Sequence, residues 1–129
     1  MVIDSSAVIA LLLAEPESTR FVDAIARAAT RRMSAASYLE AAIVMTGRSG
    51  PPAHALLDRL ISDLGIEIAP FTHEQATLAI EAFRRYGKGT GHAAGLNFGD
   101  CFTYALAKLT GEAVLFKGND FSHTDLTPA

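Results

Sequence analysis

Residues 96–108 read Leu96-Asn97-Phe98-Gly99-Asp100-Cys101-Phe102-Thr103-Tyr104-Ala105-Leu106-Ala107-Lys108. The segment predicts a turn, a carboxylate and then a helix that is apolar on almost every face, with Thr103 and Lys108 directed to solvent. A helix of this kind is buried at the centre of a domain, and Gly99 permits the backbone to turn before it. Asp100 then lies in the first turn, at the edge of the core. Because Asp is a favoured N-cap residue, helix capping alone could account for it.

The composition is that of one globular domain. The chain has 129 residues, of which 50% are hydrophobic and 19% charged, so it is long enough for a real core and too apolar for disorder. A net charge of −3 gives no reason to expect a nucleic-acid partner. A nuclease can nevertheless be acidic, because its catalytic carboxylates offset its phosphate-binding cations. The single cysteine excludes an intrachain disulfide and disfavours a Cys-based zinc site. No signal peptide or membrane-spanning run is visible, so we expect a cytoplasmic protein.

Predicted strands alternate with predicted helices along the whole chain. Short apolar runs predict strands at 1–3, 33–35, 66–70 and 113–116, with a last short strand at 125–127. Apolar residues at helical spacing predict helices at 7–14, 21–29, 37–46, 52–64 and 73–86, in addition to the helix that begins at Asp100. The region 87–95 contains four glycines and is expected to be a loop. This alternation predicts an α/β fold with a largely parallel sheet in one domain over 1–129.

Four carboxylates occupy comparable positions in this pattern. Asp4 follows the first strand, and Asp120 lies a few residues beyond the strand at 113–116. Asp100 opens the buried helix that leads into that strand, and Glu40 lies in the first turn of a helix that follows another strand. Because sites in open α/β sheets form outside the carboxyl ends of strands, the four side chains could converge there. Such a cluster repels itself unless a cation is bound or some members are protonated, and hard oxygen ligands suit Mg²⁺ or Mn²⁺.

Each carboxylate also has a purely structural explanation. The pattern Ser37-x-x-Glu40 is a capping box, Asp4 could cap the helix that follows it, and Asn119-Asp120 is a common turn dipeptide. The information therefore lies in their shared position at strand exits. Two further functions stay open on the residues alone, namely a metal-dependent phosphatase on a similar sheet and a binding module without catalysis.

The same residues resemble a known family. Val2-Ile3-Asp4-Ser5-Ser6, the helical Glu40, the segment Leu96-Asn97-Phe98-Gly99-Asp100-Cys101 and the segment Phe116-Lys117-Gly118-Asn119-Asp120-Phe121 are similar in order and spacing to PIN-domain proteins. More narrowly, the chain resembles the VapC toxins of bacterial type II toxin–antitoxin modules. The resemblance covers nearly the whole chain, with least signal between residues 47 and 86. It implies a PIN-like three-layer α/β/α sandwich with a short, mainly parallel central sheet.

The resemblance also implies a function and its residues. The family's acidic pattern falls on Asp4, Glu40, Asp100 and Asp120, with Ser6 and Asn97 in supporting positions. It implies a toxin that cleaves RNA as a Mg²⁺-dependent endoribonuclease, with Mn²⁺ as an alternative ion, until a cognate antitoxin blocks it. A metal held by Asp4 and Asp100 can orient water, and Glu40 and Asp120 could position that water or a second metal. A homodimer built partly from the helices at 5–14 and 37–46 is expected. The residues proposed to contact RNA phosphates are Arg84, Arg85 and Lys88.

Overall fold

Four short parallel strands form the centre of the fold in the computed structural model, which describes residues 1–129. They are β1 (Val2–Ile3), β2 (Arg32–Ser34), β3 (Glu67–Ala69) and β4 (Val114–Leu115), and they lie in the order β3-β2-β1-β4. Val2 of the central strand β1 is in register with Arg32 on one side and Val114 on the other, and all three strand pairs are parallel. The predicted α/β class and the parallel sheet are therefore confirmed.

Six α-helices connect and cover the strands. They are α1 (Ser5–Leu12), α2 (Ser18–Arg27), α3 (Ala35–Ser49), α4 (Pro52–Asp63), α5 (His73–Tyr86) and α6 (Phe98–Thr110), and a 3₁₀ helix follows at Asp120–His123. None of them is long and apolar enough to cross a bilayer. The predicted strand at 125–127 is not formed, since this part of the chain reaches the sheet only through a single bridge between Val114 and Pro128.

Two hydrophobic clusters lie on opposite faces of the sheet. Ile3 and Leu115 point into one cluster, which packs against α1, α2, α3 and α4, whereas Val2 and Val114 point into the other, which packs against α5 and α6. Successive strand residues point to opposite faces, so the apolar residues of β1 and β4 serve both clusters. The result is the three-layer α/β/α arrangement.

The ends of two helices differ from the prediction. Helix α3 begins at Ala35, because the Ser34 side chain caps it by accepting a hydrogen bond from Ala36 N, so Ser37 is not the N-cap of a capping box. The helix also continues through Gly47 and ends at Gly50, whose φ of 77° favours glycine. Helix α6 is capped by Asn97 rather than by Asp100.

Candidate active site

Asp4 is held in one orientation at the carboxyl end of β1. Its backbone N–H donates to Leu115 O in the sheet, and its side chain caps α1 by accepting from Ser6 N at 2.9 Å. The Ser6 hydroxyl donates to the same oxygen, Oδ2, at 2.6 Å, and the Thr103 hydroxyl donates to Oδ1 at 2.6 Å. With three donors and 3% exposure, this carboxylate is almost fully buried. Ser6 therefore contacts Asp4 directly, as its predicted supporting position requires.

Asp100 is fixed by the first turn of α6. Asn97 Oδ1 accepts from Asp100 N at 2.9 Å, and Asp100 Oδ2 accepts from Asn97 N at 2.8 Å, so the two residues form a reciprocal capping box. Asp100 is only 8% exposed, yet its second oxygen, Oδ1, accepts no hydrogen bond from the protein. The capping box thus positions the carboxyl group through one oxygen and leaves the other available.

Glu40 lies against the start of α6. Its Oε1 accepts from the Ser5 hydroxyl at 2.5 Å. A Cβ atom added to Gly99 would overlap the Glu40 carboxylate and lie 2.7 Å from its carboxyl carbon. Gly99 is itself helical, so its absent side chain serves this close approach rather than a turn. Glu40 is consequently held beside the residue that precedes Asp100.

The pKa of Asp100 is raised by its burial and by the three other carboxylates. Burial first, and then the negative charges of Asp4, Asp120 and Glu40, together raise this pKa from 3.8 to about 7, against the lowering effect of the hydrogen bond from the Asn97 N–H. The same burial and the charge of Asp100 raise the pKa of the Cys101 thiol to about 11. Asp120 is the exposed member of the group, in the 3₁₀ helix that follows β4. The structure therefore places the other three predicted carboxylates within electrostatic range of Asp100.

The carboxylates do not form a closed metal cage. No group of three or more His, Cys, Asp or Glu side chains is arranged to hold one ion. Mg²⁺ differs from Ca²⁺ and Zn²⁺ in this respect, because it keeps several waters and is commonly bound by one or two carboxylates together with substrate phosphates. Asp100 Oδ1, which accepts no hydrogen bond from the protein, and Asp4, whose charge acts on Asp100, fit such an open site.

The predicted RNA contacts lie in different surroundings. Arg84 lines an apolar cavity that also contains Phe98. Arg85 lies 3.9 Å from Asp125 and stacks over the Tyr86 ring, so its charge is already shared within the protein. Lys88 is exposed in the glycine-rich loop. Of the three, Arg84 lines a cavity together with residues of α6, the helix that carries Asp100.

Sequence reasoning missed Thr103 and misread Ser37. Thr103 was expected to face solvent, but it is 0% exposed and donates to Asp4. Ser37 is buried beside it rather than capping α3. A usable signal was present, since each hydroxyl stands three residues from a carboxylate on the same helix, and residues at that spacing share a face.

Comparisons with known proteins agree with this fold. The family model described as the PIN domain matches residues 1–126. Ribonuclease VapC28 of Mycobacterium tuberculosis is 47% identical over 129 residues, covering 100% of this chain and 97% of that protein. Ribonuclease VapC30 of the same organism is 48% identical over 126 residues, covering 98% and 95%.

Solved structures give the same result at lower sequence identity. The crystal structure of Mycobacterium tuberculosis VapC20, described as a sarcin–ricin loop cleaving toxin, has a TM-score of 0.79 at 16% identity and covers 99% of this chain and 97% of that one. A toxin–antitoxin complex from Klebsiella pneumoniae has a TM-score of 0.69 at 15% identity, with 96% and 92% covered. The fold and the whole-chain match define a PIN-domain protein. The chain belongs to the PIN-domain family and, within it, to the VapC ribonucleases.

Proposed function

We propose that this protein is the toxin of a type II toxin–antitoxin module and acts as a Mg²⁺-dependent endoribonuclease, with Mn²⁺ able to replace Mg²⁺. Its relatives at 43% to 48% identity are named VapC ribonucleases, which supports RNA cleavage. The observation that carries the metal dependence is the grouping of Asp4, Glu40, Asp100 and Asp120 around the buried start of α6. Four carboxylates this close repel one another, and a divalent cation relieves that repulsion.

Asp4 and Asp100 are the residues proposed to hold the ion. Both are buried and both are oriented by hydrogen bonds from the protein, so little side-chain freedom is lost when they bind. A bound divalent cation lowers the pKa of water and stabilises charge on the scissile phosphate. Glu40, held by Ser5, and the exposed Asp120 would orient the attacking water or help to hold a second ion. Arg84, Arg85 and Lys88 remain the proposed phosphate contacts.

An apolar groove beside the site supports an antitoxin as the partner. Two cavities of about 390 and 440 Å³ share the side chains of Phe98 and Phe102, and Glu40 lines the second of them. Phe98 is 78% exposed although it begins the buried helix α6. A helical or extended antitoxin segment could cover this groove, and an Arg or Lys side chain at its end could pair with the carboxylates in place of metal. RNA and antitoxin together imply activity in the cytoplasm.

The proposed homodimer rests on α3. None of the residues of α1 is exposed, so the apolar face of α1 is used within the chain. Helix α3, in contrast, exposes Leu39 at 58% and Ile43 at 64%. Light scattering at micromolar concentration tests this part of the proposal, and a monomer mass would refute it.

The proposed activity is tested with the purified protein and total RNA. We expect cleavage with Mg²⁺ or Mn²⁺, none with EDTA, and none from Asp4→Asn, which keeps the shape of the side chain. A protein that hydrolyses phosphomonoesters but leaves RNA intact would be a phosphatase. A protein that binds a partner without hydrolysing either substrate would be a binding module. Either result would refute the proposed ribonuclease activity.

A further inference from the structure

Two buried hydroxyl groups meet between the helices that carry Glu40 and Asp100. Ser37 Oγ lies 3.2 Å from Thr103 Oγ1, and the two residues are 1% and 0% exposed. Thr103 has one hydroxyl hydrogen, which it donates to Asp4 Oδ1 at 2.6 Å. Ser37 must therefore be the donor within the pair. The hydrogen bonds run in one direction, from Ser37 to Thr103 and from Thr103 to Asp4.

The position of the two hydroxyls relates them to the other carboxylates. Ser37 stands three residues before Glu40 on α3, and Thr103 stands three residues after Asp100 on α6. Residues three apart lie on one face of a helix. The Ser37–Thr103 contact therefore joins the α3 face that carries Glu40 to the α6 face that carries Asp100, and its hydrogen bonds end on Asp4.

Packing alone does not explain why Thr103 is threonine. The residues on either side of it in α6, Phe102 and Tyr104, are aromatic, and valine has nearly the same shape as threonine without a polar group that must be kept hydrogen-bonded. Ser6 already holds Asp4 Oδ2 through two hydrogen bonds. The contact from Thr103 to the other oxygen, Oδ1, fixes the rotation of the carboxylate plane, which Ser6 alone does not fix.

We propose that the Ser37–Thr103 pair is a positioning device that sets the orientation of Asp4 relative to Glu40 and Asp100, and thereby the affinity of the site for its divalent cation. The inference rests on the proposed function. Partners that hydrogen-bond to metal-binding side chains orient them, and their removal typically weakens metal binding roughly 10- to 100-fold. Ser37 acts one step further out, since it holds the Thr103 hydroxyl in the direction of Asp4.

The experiment measures Mn²⁺ binding by electron paramagnetic resonance for the wild type, Thr103→Val, Thr103→Ser, Ser37→Ala and the double variant. We expect Thr103→Val to weaken binding roughly 10- to 100-fold and Thr103→Ser, which keeps the hydroxyl, to restore most of it. Ser37→Ala should cause a smaller loss of Mn²⁺ affinity. In the double variant it should add nothing to the effect of Thr103→Val, because the hydrogen bond from Thr103 to Asp4 is then already absent. The matched control is Thr110→Val, which removes a hydroxyl from the same helix that donates only to Leu106 O. It should bind Mn²⁺ as the wild type does.

RNA cleavage at saturating Mn²⁺ provides a second measurement. The turnover rate of Thr103→Val should recover most of the wild-type value there, since only the metal concentration needed has changed. Thermal melting in EDTA shows whether each variant is folded. If Thr103→Val is unfolded, the Mn²⁺ affinity of Ser37→Ala is compared with that of the wild type instead. Unchanged Mn²⁺ affinity in the folded variants would overturn the positioning role. A wild type that neither binds Mn²⁺ nor cleaves RNA would instead overturn the proposed function.

Discussion

Replacement of Asp100 by Asn should stabilise the metal-free protein. Asp100 is buried next to three other carboxylates, and its pKa is raised from 3.8 to about 7 by burial first and by the charges of Asp4, Asp120 and Glu40. An Asn side chain has the same shape and keeps an oxygen that can accept from Asn97 N. Asp100→Asn therefore removes a buried charge without removing the helix cap.

The size of the effect follows from the raised pKa. Below about pH 4 the carboxyl is protonated in both folded and unfolded states, and it costs nothing. Between about pH 4 and 7 the unfolded state releases its proton while the folded state retains it, so the stability of the wild type falls as the pH rises. A pKa of about 7 instead of 3.8 corresponds to at most about 4 kcal/mol at pH 8. For a domain of this length that is a difference in Tm of at most about 15 °C.

The assay is thermal melting in EDTA at pH 5, 6, 7 and 8. The Tm difference between Asp100→Asn and the wild type should grow from pH 5 to 7 and then level off. Added Mg²⁺ should raise the Tm of the wild type at pH 8 and leave Asp100→Asn nearly unchanged, because ligand binding to the folded state is lost. Asp23→Asn, which changes an exposed carboxylate on α2, is the control. A metal-free Asp100→Asn that melts below the wild type at pH 8 would refute this reasoning.

Three other changes give separate tests. Gly99→Ala should reduce RNA cleavage and stability, because the added Cβ would displace the Glu40 carboxylate. This loss is expected although alanine favours helices over glycine by about 1 kcal/mol. A more stable, fully active variant would contradict the close approach of Glu40 to Gly99. Glu40→Gln should keep the Ser5 hydrogen bond and the melting temperature but lose cleavage, and normal cleavage would remove Glu40 from the site. Phe98→Ala should weaken antitoxin binding, measured by a pull-down titration. Leu56→Ala also removes exposed apolar surface, but on α4, and should leave antitoxin binding unchanged.

Much of the fold follows from local patterns in the sequence. The apolar run at 1–3 ends at Asp4, and the apolar run at 113–116 lies between Glu112 and Lys117; short apolar runs of this kind are what strands buried on both faces require. The strand at Arg32–Ser34 was predicted one residue too late, at 33–35, because Arg32 is charged and Ala35 is apolar. The strand predicted at 125–127 was wrong, because the only bridge from this part of the chain to the sheet is made by Pro128 with Val114 and depends on tertiary position.

The errors in the site have a common physical cause. Thr103 and Ser37 are polar residues in helices, and in isolation such residues belong on the solvent side. They are buried because each finds a hydrogen-bond partner on another element, Thr103 on Asp4 and Ser37 on Thr103. The spacing to Glu40 or Asp100 indicates only that each hydroxyl shares a helix face with a carboxylate, and it does not identify a partner 66 or 99 residues away. The four acidic residues were predicted to lie close together because they recur near strand ends, where the loops of a parallel sheet meet.

Capping and catalysis were treated as alternative explanations for the carboxylates, but a residue that caps a helix can also keep an oxygen available for the proposed site. Asp4 caps α1 through Oδ2, and Asp100 completes the capping box of α6 through Oδ2, whereas Asp100 Oδ1 is left without a donor. A helix N-terminus carries partial positive charge, so it stabilises a carboxylate there. The cap thus supplies the fixed orientation and part of the charge compensation that a buried acidic site needs before any cation binds. A helix-capping motif that follows a strand of a parallel sheet is therefore compatible with a functional role for the capping residue. It is no evidence against such a role.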